Sequence, residues 1–282
     1  MSKISIIIPT FNSKPFLELC LSSLFAQNFQ DFEVIIVDNN SKDDTVNFIK
    51  TTYPKIIIIE NKQNFGACRA RNQGIEISSS NWVMTLDCDV ILDKCFISKI
   101  IKTVENLSSK VGMIQARILN SDKRTIYSTG ICLSFFRRFY DIGKNKIDKD
   151  KFNRPQYIFG ACSAAALYNR RMLQELKEDT GYFDERFFFL VEDVDLAWRA
   201  QKRGWEGIYC PEAVCYHTGN SSGFDIKVRQ YLSFRNRYYA ILKNDGLINY
   251  SVKLFPLLSY DIPRLLYLIF NNCYIFKKPK LN

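Results

Sequence analysis

Two carboxylates stand one residue apart in "VMTLDCDVIL" (residues 83–92), where Asp87 and Asp89 follow directly on an apolar run that reads as a buried strand. Taken alone, the pair supports two readings. Asp is common in turns, and a polar turn would end such a strand. Carboxylates at alternate positions can also face one divalent cation, and Mg²⁺ characteristically takes one or two protein carboxylates together with the phosphates of a ligand. A second acidic group, Glu192, Asp193 and Asp195, opens the helical stretch that contains Leu196 and Trp198. Acids in a first turn are favoured by the helix dipole, so a structural role competes with a chemical one there. The single histidine, His217, closes a strand-like run and opens the loop "TGNSSG". That setting suits a ligand, and it equally suits a satisfied polar side chain.

The elements that must carry these groups alternate through the first hundred residues. "ISIII" (4–8) is a β-branched strand. Beyond Ser13 as N-cap and Pro15 in the first turn, Leu17, Cys20, Leu21, Leu24 and Phe25 fall on one helical face. "EVIIV" (33–37) is a second strand, and "SKDD" (41–44) reads as a capping-box start to a helix carrying Val46, Ile49 and Tyr53. "KIIIIE" is a third strand, a helix covers 66–78, and "NWVMTL" is a fourth strand. Apolar strands separated by amphipathic helices imply a parallel sheet buried on both faces. Ligands of such sheets bind outside the carboxyl ends of the strands. The polar residues collect there: Pro9 to Asn12 after the first strand, Asp38 to Ser41 after the second, and Asp87 to Asp89 after the fourth. The second half is less regular, with a strand at 110–119, "TIYSTGICLS" read as a hairpin, and a small, apolar centre in "YIFGACSAAALYNRRML" that suits chain passing under a pocket.

With 282 residues, 47% hydrophobic, the chain can bury a full core. Its nine cysteines form no C-x-x-C pair, which favours reduced thiols in a cytoplasmic setting over zinc or a disulfide framework. The apolar run before Pro9 is too short for a signal peptide. A formal charge of +10 points to an anionic partner: nucleic acid, a phosphorylated ligand or an acidic membrane. Neither G-x-G-x-x-G after the first strand nor a P-loop is present, so a bound nucleotide must be held by side chains, a metal and scattered backbone groups.

In their order along the chain, "SIIIPTFN", "VIIVDNNSKDDT", "NFGACRARNQGI", "MTLDCDV", "FGACSAAALYNRRM", "FDERFFFLVEDVDLAWRAQKRGW" and "YHTGNSSG" resemble family 2 glycosyltransferases of the GT-A fold, in particular their rhamnosyltransferase-like branch. The resemblance spans roughly residues 3 to 240. It implies an α/β domain over 1–240, with a nucleotide-sugar half to about residue 118 and an acceptor half beyond it. Pro9, Thr10 and Asn12 match the segment under the nucleotide, Asp38 the acid that accepts from the base, and Asn40 and Ser41 the loop beside it. Asn64, Gly66, Arg71 and Asn72 match residues that support nucleotide and diphosphate. Asp89 matches the metal ligand of the D-x-D pair, Asp87 its ribose or metal-water partner, and His217 a histidine that completes the metal site. Asp193 matches the general base, with Glu192 beside it near the acceptor. The implied reaction is an inverting transfer from a nucleoside-diphosphate sugar, dTDP-rhamnose or a UDP-sugar, to a glycan or lipid-linked hydroxyl in surface polysaccharide synthesis. Mn²⁺ or Mg²⁺ would serve as cofactor.

Residues 241–282 read as an apolar and basic helical extension. Its apolar runs, broken by Lys253, Pro256, Asp261, Pro263 and Arg264, fall short of the eighteen or so residues that span a bilayer. An interfacial helix ending in Lys277, Lys278 and Lys280 fits instead, with packing on the domain or on a second copy as the other reading. These features place the chain in the cytoplasm at the inner membrane face and are compatible with a homo-oligomer. They do not suggest nucleic-acid binding, since no recognisable module accompanies the charge. A non-catalytic scaffold of the same fold is the alternative.

Overall fold

In the computed structural model, which describes residues 3–135, 137–219, 221, 223–246, 249, 252, 254–277 and 279, four aliphatic runs near the N-terminus build the parallel half of a mixed sheet. These are β1 (Ile4–Thr10), β2 (Phe32–Asp38), β3 (Ile57–Glu60) and β4 (Trp82–Leu86), joined through α1 (Lys14–Phe25), α2 (Thr45–Thr52) and α3 (Gly66–Ile77). β1 lies between β2 and β4, with Ile7 opposite Ile35 on one side and Thr85 on the other. Every residue of β1 is buried, as a strand covered on both faces requires. β3 departs from the expected two-sided burial. It ends the strand order, and its Ile57 is 45% exposed.

The α2 helix also departs from the sequence reading. It begins at Thr45 with Asp44 at its N-cap position, not at the expected capping box from Ser41. Ser41 is committed elsewhere, its backbone N–H and hydroxyl both donating to Asp38.

Beyond β4 the sheet turns mixed. It gains β5 (Val90–Leu92), then, after α4 (Phe96–Val104), β6 (Val111–Asn120), β7 (Ile126–Ser128), β10 (Gln156–Ile158), β11 (Ala165–Asn169) and β12 (Glu206–His217). β11 runs antiparallel between β4 and β6 and so joins the two halves. The expected hairpin at 125–134 does not form. β7 pairs back onto β6, whereas β8 (Ile131–Leu133) pairs with β9 (Phe139–Asp141) in a separate two-stranded sheet. Gly130, at φ +129°, lies between the two and lets the chain leave one sheet for the other.

Two further elements follow the strand–helix core on its second side: α5 (Arg170–Leu176) and α6 (Glu192–Lys202). The C-terminal part consists of α7 (Ile226–Asp245) and α8 (Leu254–Asn271), and the expected division at residue 240 falls inside α7. Asp225 caps α7 by accepting from Lys227 N. A buried pair, Arg237 Nε to Asp261 at 3.1 Å, fixes α8 against α7. Asn272 adds a bond to the Lys227 carbonyl. The outer face of α8 stays apolar and open, with Phe255 83% and Phe270 82% exposed. Among the described residues no helix is long and apolar enough to cross a membrane. Lys253, Lys278 and Lys280 of the extension lie outside the described residues.

Candidate active site

Strand pairing, not sequence proximity, assembles the acidic centre. β4 ends at Leu86, and the Asp87 N–H donates to the Ala164 carbonyl, so the chain emerges at the carboxyl edge of the sheet. A tight turn, Val90 N to Asp87 O, then starts β5. The antiparallel pairing of β5 with β12 sets Val90 opposite His217, and Thr218 N donates to the Asp89 carbonyl. His217 is thereby delivered to the acids, with Nε2 3.2 Å from Asp89 Oδ1 and 3.9 Å from Asp87 Oδ2. One ligand atom from each of the three side chains falls within a 4.8 Å group that could hold a metal ion.

The donor set fits a divalent cation. Asp89 Oδ1 and His217 Nδ1 are buried without a hydrogen-bond partner, so the short approach between the two side chains is not an aligned hydrogen bond. A buried carboxylate oxygen left without a donor is costly unless a cation or water meets it. Burial works against the charged forms of both groups. For His217, the carboxylates of Asp89 and then Asp87 outweigh it and hold the imidazole pKa above its ordinary value. For Asp89, burial is outweighed by His217 and Ser221, which hold its carboxyl below the usual range. Asp87 goes the other way: burial and the Asp89 charge raise it against the pull of Arg71.

Arg71, buried on α3, links the two acidic groups of the sequence. Its Nη2 donates to Asp87 Oδ1 at 2.8 Å and its Nη1 to Glu192 Oε1 at 2.5 Å. Glu192 also accepts from the Ser163 hydroxyl at 3.2 Å. It therefore holds the arginine, and the neighbouring carboxylate, Asp193, faces the cleft. Asp193 is fixed by backbone donors, Oδ2 by Ser163 N at 3.2 Å and Oδ1 by Val194 N at 2.9 Å. Burial first, then the charges of Glu192 and Asp141, push its pKa up to about 8. Asp195 is spent on structure: it is buried and meets Arg199, Lys243 and Asn244.

The segment that leads into Asp193 is strained. Phe188, Leu190 and Val191 all have φ near +70°, a region that non-glycine residues enter at a cost of order 1–3 kcal/mol each. Asn236 of α7, fully buried, holds this backbone by donating from Nδ2 to the carbonyls of Phe187, Phe189 and Leu190. On the other side the Phe188 carbonyl accepts from Cys68 N. Gly66, at φ +84°, makes that approach feasible, since a Cβ there would lie 2.6 Å from the Phe188 oxygen. Neither Asn236 nor Ser163 is among the candidate residues that the sequence offers. Asn236 sits in "SFRNRYY", where only the basic and aromatic character stood out, and the role of Ser163 depends on a contact 29 residues away.

A cleft of about 420 Å³ opens along these groups. Pro9, Thr10, Asn64, Gly66, Arg71, Asp87, Glu192 and Asp193 all line it. Asp38, Asn12 and Ser41 form a network just behind: Ser41 Oγ accepts from Asn12 N and donates to Asp38, while Asn12 Oδ1 accepts from Lys42 N. Burial raises the Asp38 pKa against its bonds from Ser41. Asn40 turns outward to the Lys42 ammonium, and its neighbour Asn39 lines the cleft instead. Asn72 is not at the cleft wall. It is buried and pins Phe183, donating to its carbonyl and accepting from its N–H. Tyr127 stacks edge-on against His217 at 4.2 Å and also faces the cleft.

An α/β sheet with a carboxylate–histidine cluster at the carboxyl ends of its strands, of which Asp87 lines the cleft while Asp89 and His217 lie buried behind it, is the architecture of a GT-A glycosyltransferase. The chain belongs to Glycosyl transferase family 2, whose family profile matches residues 5–177. It is 24% identical over 205 residues to the glycosyltransferase GlyA of Streptococcus pneumoniae, a match that covers 68% of this chain and 29% of that protein. The poly-β-1,6-N-acetyl-D-glucosamine synthase of Staphylococcus aureus is 24% identical over 215 residues, or 76% of this chain and 49% of the synthase. The chain therefore spans about half or less of the length of these curated relatives. Among solved structures, the mannosyltransferase PcManGT from Pyrobaculum calidifontis in complex with GDP-Man and Mn²⁺ shares the fold. Its TM-score is 0.61 at 17% identity, over 91% of this chain and 69% of that one.

Proposed function

We propose that this chain transfers a sugar, with inversion, from a nucleoside-diphosphate donor to a hydroxyl of a glycan or lipid-linked acceptor, with dTDP-rhamnose or a UDP-sugar as donor. The observation that carries the reading is the Arg71 bridge, which ties Asp87 of the candidate metal group to Glu192 beside Asp193. An acid of the candidate metal group and a carboxylate of raised pKa thus line one cleft, which supports the reading. In the reaction the acceptor oxygen bonds to the anomeric carbon as the anomeric carbon–phosphate oxygen bond breaks. The hydroxyl proton passes to the ionised Asp193, and the nucleoside diphosphate leaves. A pKa raised toward neutrality makes Asp193 a stronger base than an ordinary carboxylate, as proton abstraction demands. Ser163 N and Val194 N hold its oxygens, and Glu192 keeps Arg71 from neutralising it directly.

Asp87, Asp89 and His217 would hold Mn²⁺ or Mg²⁺, and an imidazole ligand favours manganese. When bound, the ion would supply Lewis-acid stabilisation of the charge that develops on the departing diphosphate. Thr10, Asn39 and Asn64 would line the nucleotide, with Asp38 behind them as acceptor for a base N–H. Asn72 would act at one remove, by fixing Phe183 beneath Arg71. The apolar outer face of α8 supports contact with a membrane surface, where a lipid-linked acceptor would be met.

The test is a melting panel of UDP, dTDP and GDP, each with Mn²⁺ or with chelator, since a ligand selective for the folded state raises the melting temperature. We expect a metal-dependent rise with one nucleotide. No rise with any of the three removes the donor reading.

A further inference from the structure

Beside the acids Asp87, Asp141, Glu192 and Asp193, whose charge Arg71 and Lys144 meet in part, the cleft is lined by Arg138, Arg229, Arg237 and Arg264. The four arginines come from three separate places: the turn before β9, α7 and α8. Three of them lie in or beyond α7, outside the stretch matched by the family profile. Asp261 takes Arg237 at 3.1 Å, and Asp245 is paired with Arg137 of the same turn.

Three of these guanidinium groups, those of Arg138, Arg237 and Arg264, are held in place, which distinguishes them from solvated surface charge. Arg138 lies over one aromatic ring, Tyr260, at 4.4 Å, and Arg237 approaches the same ring at 5.4 Å. Tyr260 therefore gathers two like charges about one ring. Arg264 donates to Ser233 at 3.1 Å and lies 5.7 Å from the Phe234 ring. Arg237 is 3% exposed, lines the cleft, and has a buried Nη2 with no hydrogen-bond partner among the described residues. Convergent guanidiniums with one orphaned N–H present fork-shaped donors suited to phosphate oxygens. An anion here would offset the repulsion among the arginines, whereas an uncharged sugar would leave it in place.

We infer that this arginine group is an anion subsite that holds a phosphate or diphosphate group of the acceptor while the acceptor hydroxyl reaches Asp193. The inference rests on the glycosyl-transfer reading above and adds the chemical class of the second substrate. It assigns Arg138 and Arg264 as contacts to the anion, with Arg237 behind them.

The test uses the full chain in chelator, where metal-dependent donor binding is absent, and titrates farnesyl diphosphate, inorganic diphosphate and farnesol by calorimetry. Farnesyl diphosphate should bind, farnesol should not, and Arg138→Gln and Arg264→Gln should each weaken binding about tenfold, with Arg264→Lys recovering part of the loss. Both Gln variants should keep the wild-type nucleotide-dependent rise in melting temperature with Mn²⁺. Inorganic diphosphate binding as tightly as the prenylated form would support the subsite and mark the anion alone as what is read. Preference for the prenylated form would support it and mark a lipid-borne diphosphate. Equal affinity of wild type and both Gln variants, or farnesol binding as well as its diphosphate, overturns the subsite. A wild type that binds farnesyl diphosphate in this arginine-dependent way but shows no nucleotide response overturns the donor reading and leaves the subsite standing.

Discussion

Asp193 stands in an environment that opposes its charge, and the consequence can be read in stability as well as in rate. Its pKa of about 8 in the folded chain lies above the roughly 3.9 of an exposed aspartate. The folded state therefore binds more protons between those limits, and the carboxylate costs stability increasingly as pH rises through that window. Asp193→Asn should flatten this dependence, with the variant gaining on wild type by at most about 1.4 kcal/mol per pH unit. Melting curves at pH 5 and pH 8 would show it, and parallel curves for the two proteins would remove the raised pKa. The same substitution should leave nucleotide binding intact and abolish transfer, while wild-type transfer should climb with pH toward about 8 and level off above it. Asp89→Ala should separate the other function. The nucleotide-dependent rise in melting temperature with Mn²⁺ should vanish, because Asp89 and His217 are the most buried of the three candidate ligands. A retained rise would shift the metal assignment away from this cluster.

At the scale of elements, the segment between Phe187 and Val191 depends on neighbours from both sides. Asn236→Ala removes the side-chain donor to the Phe189 and Leu190 carbonyls, while Phe187 keeps Arg235 as a donor, a loss of about 1–3 kcal/mol for buried groups. We expect a lower denaturation midpoint at unchanged slope, and transfer reduced about tenfold with nucleotide affinity preserved. A loss of nucleotide affinity as large as the loss of rate would mean that α7 shapes the donor site too. Gly66→Ala tests the opposite wall. Its Cβ would meet the Phe188 carbonyl at 2.6 Å in a left-handed conformation, and destabilisation of about 1–3 kcal/mol should follow.

For the whole molecule, α8 presents two faces with different tasks. The inner one carries Asp261 and Arg264 toward α7 and the cleft, and the outer one exposes Phe255, Ile262 and Phe270. Exposed apolar surface next to a basic cleft suits an anionic lipid surface. Phe255→Ser combined with Phe270→Ser should reduce sedimentation with anionic vesicles at least fivefold, and the nucleotide response should be unchanged. Undiminished sedimentation would assign the apolar face to another surface, such as a second copy of the chain.

Much of this was legible in local pattern. The runs of β1, β2 and β4 are short, rich in β-branched residues and bounded by polar turns, and α1 carries a helical stripe, so the alternating first half and the emergence of Asp87 and Asp89 at a strand end followed from sequence. The residue types of the candidate site, two acids and a histidine plus an acid in a first helical turn, were visible for the same reason. What tertiary structure decided was their company. The β5–β12 register that brings His217 to Asp89, the Arg71 bridge to Glu192, and the separation of Asp195 from Asp193 all join residues far apart in the chain. Local propensity carries no information about such pairings. The hairpin expected at 125–134 failed because each strand found a longer-range partner, and Asn40 yielded its place at the cleft to Asn39 because a left-handed residue turned its side chain outward. Sequence determined which groups reach the sheet edge, since that depends on neighbours along the chain. Only the fold determined which of them meet, because burial and charge pairing act through space.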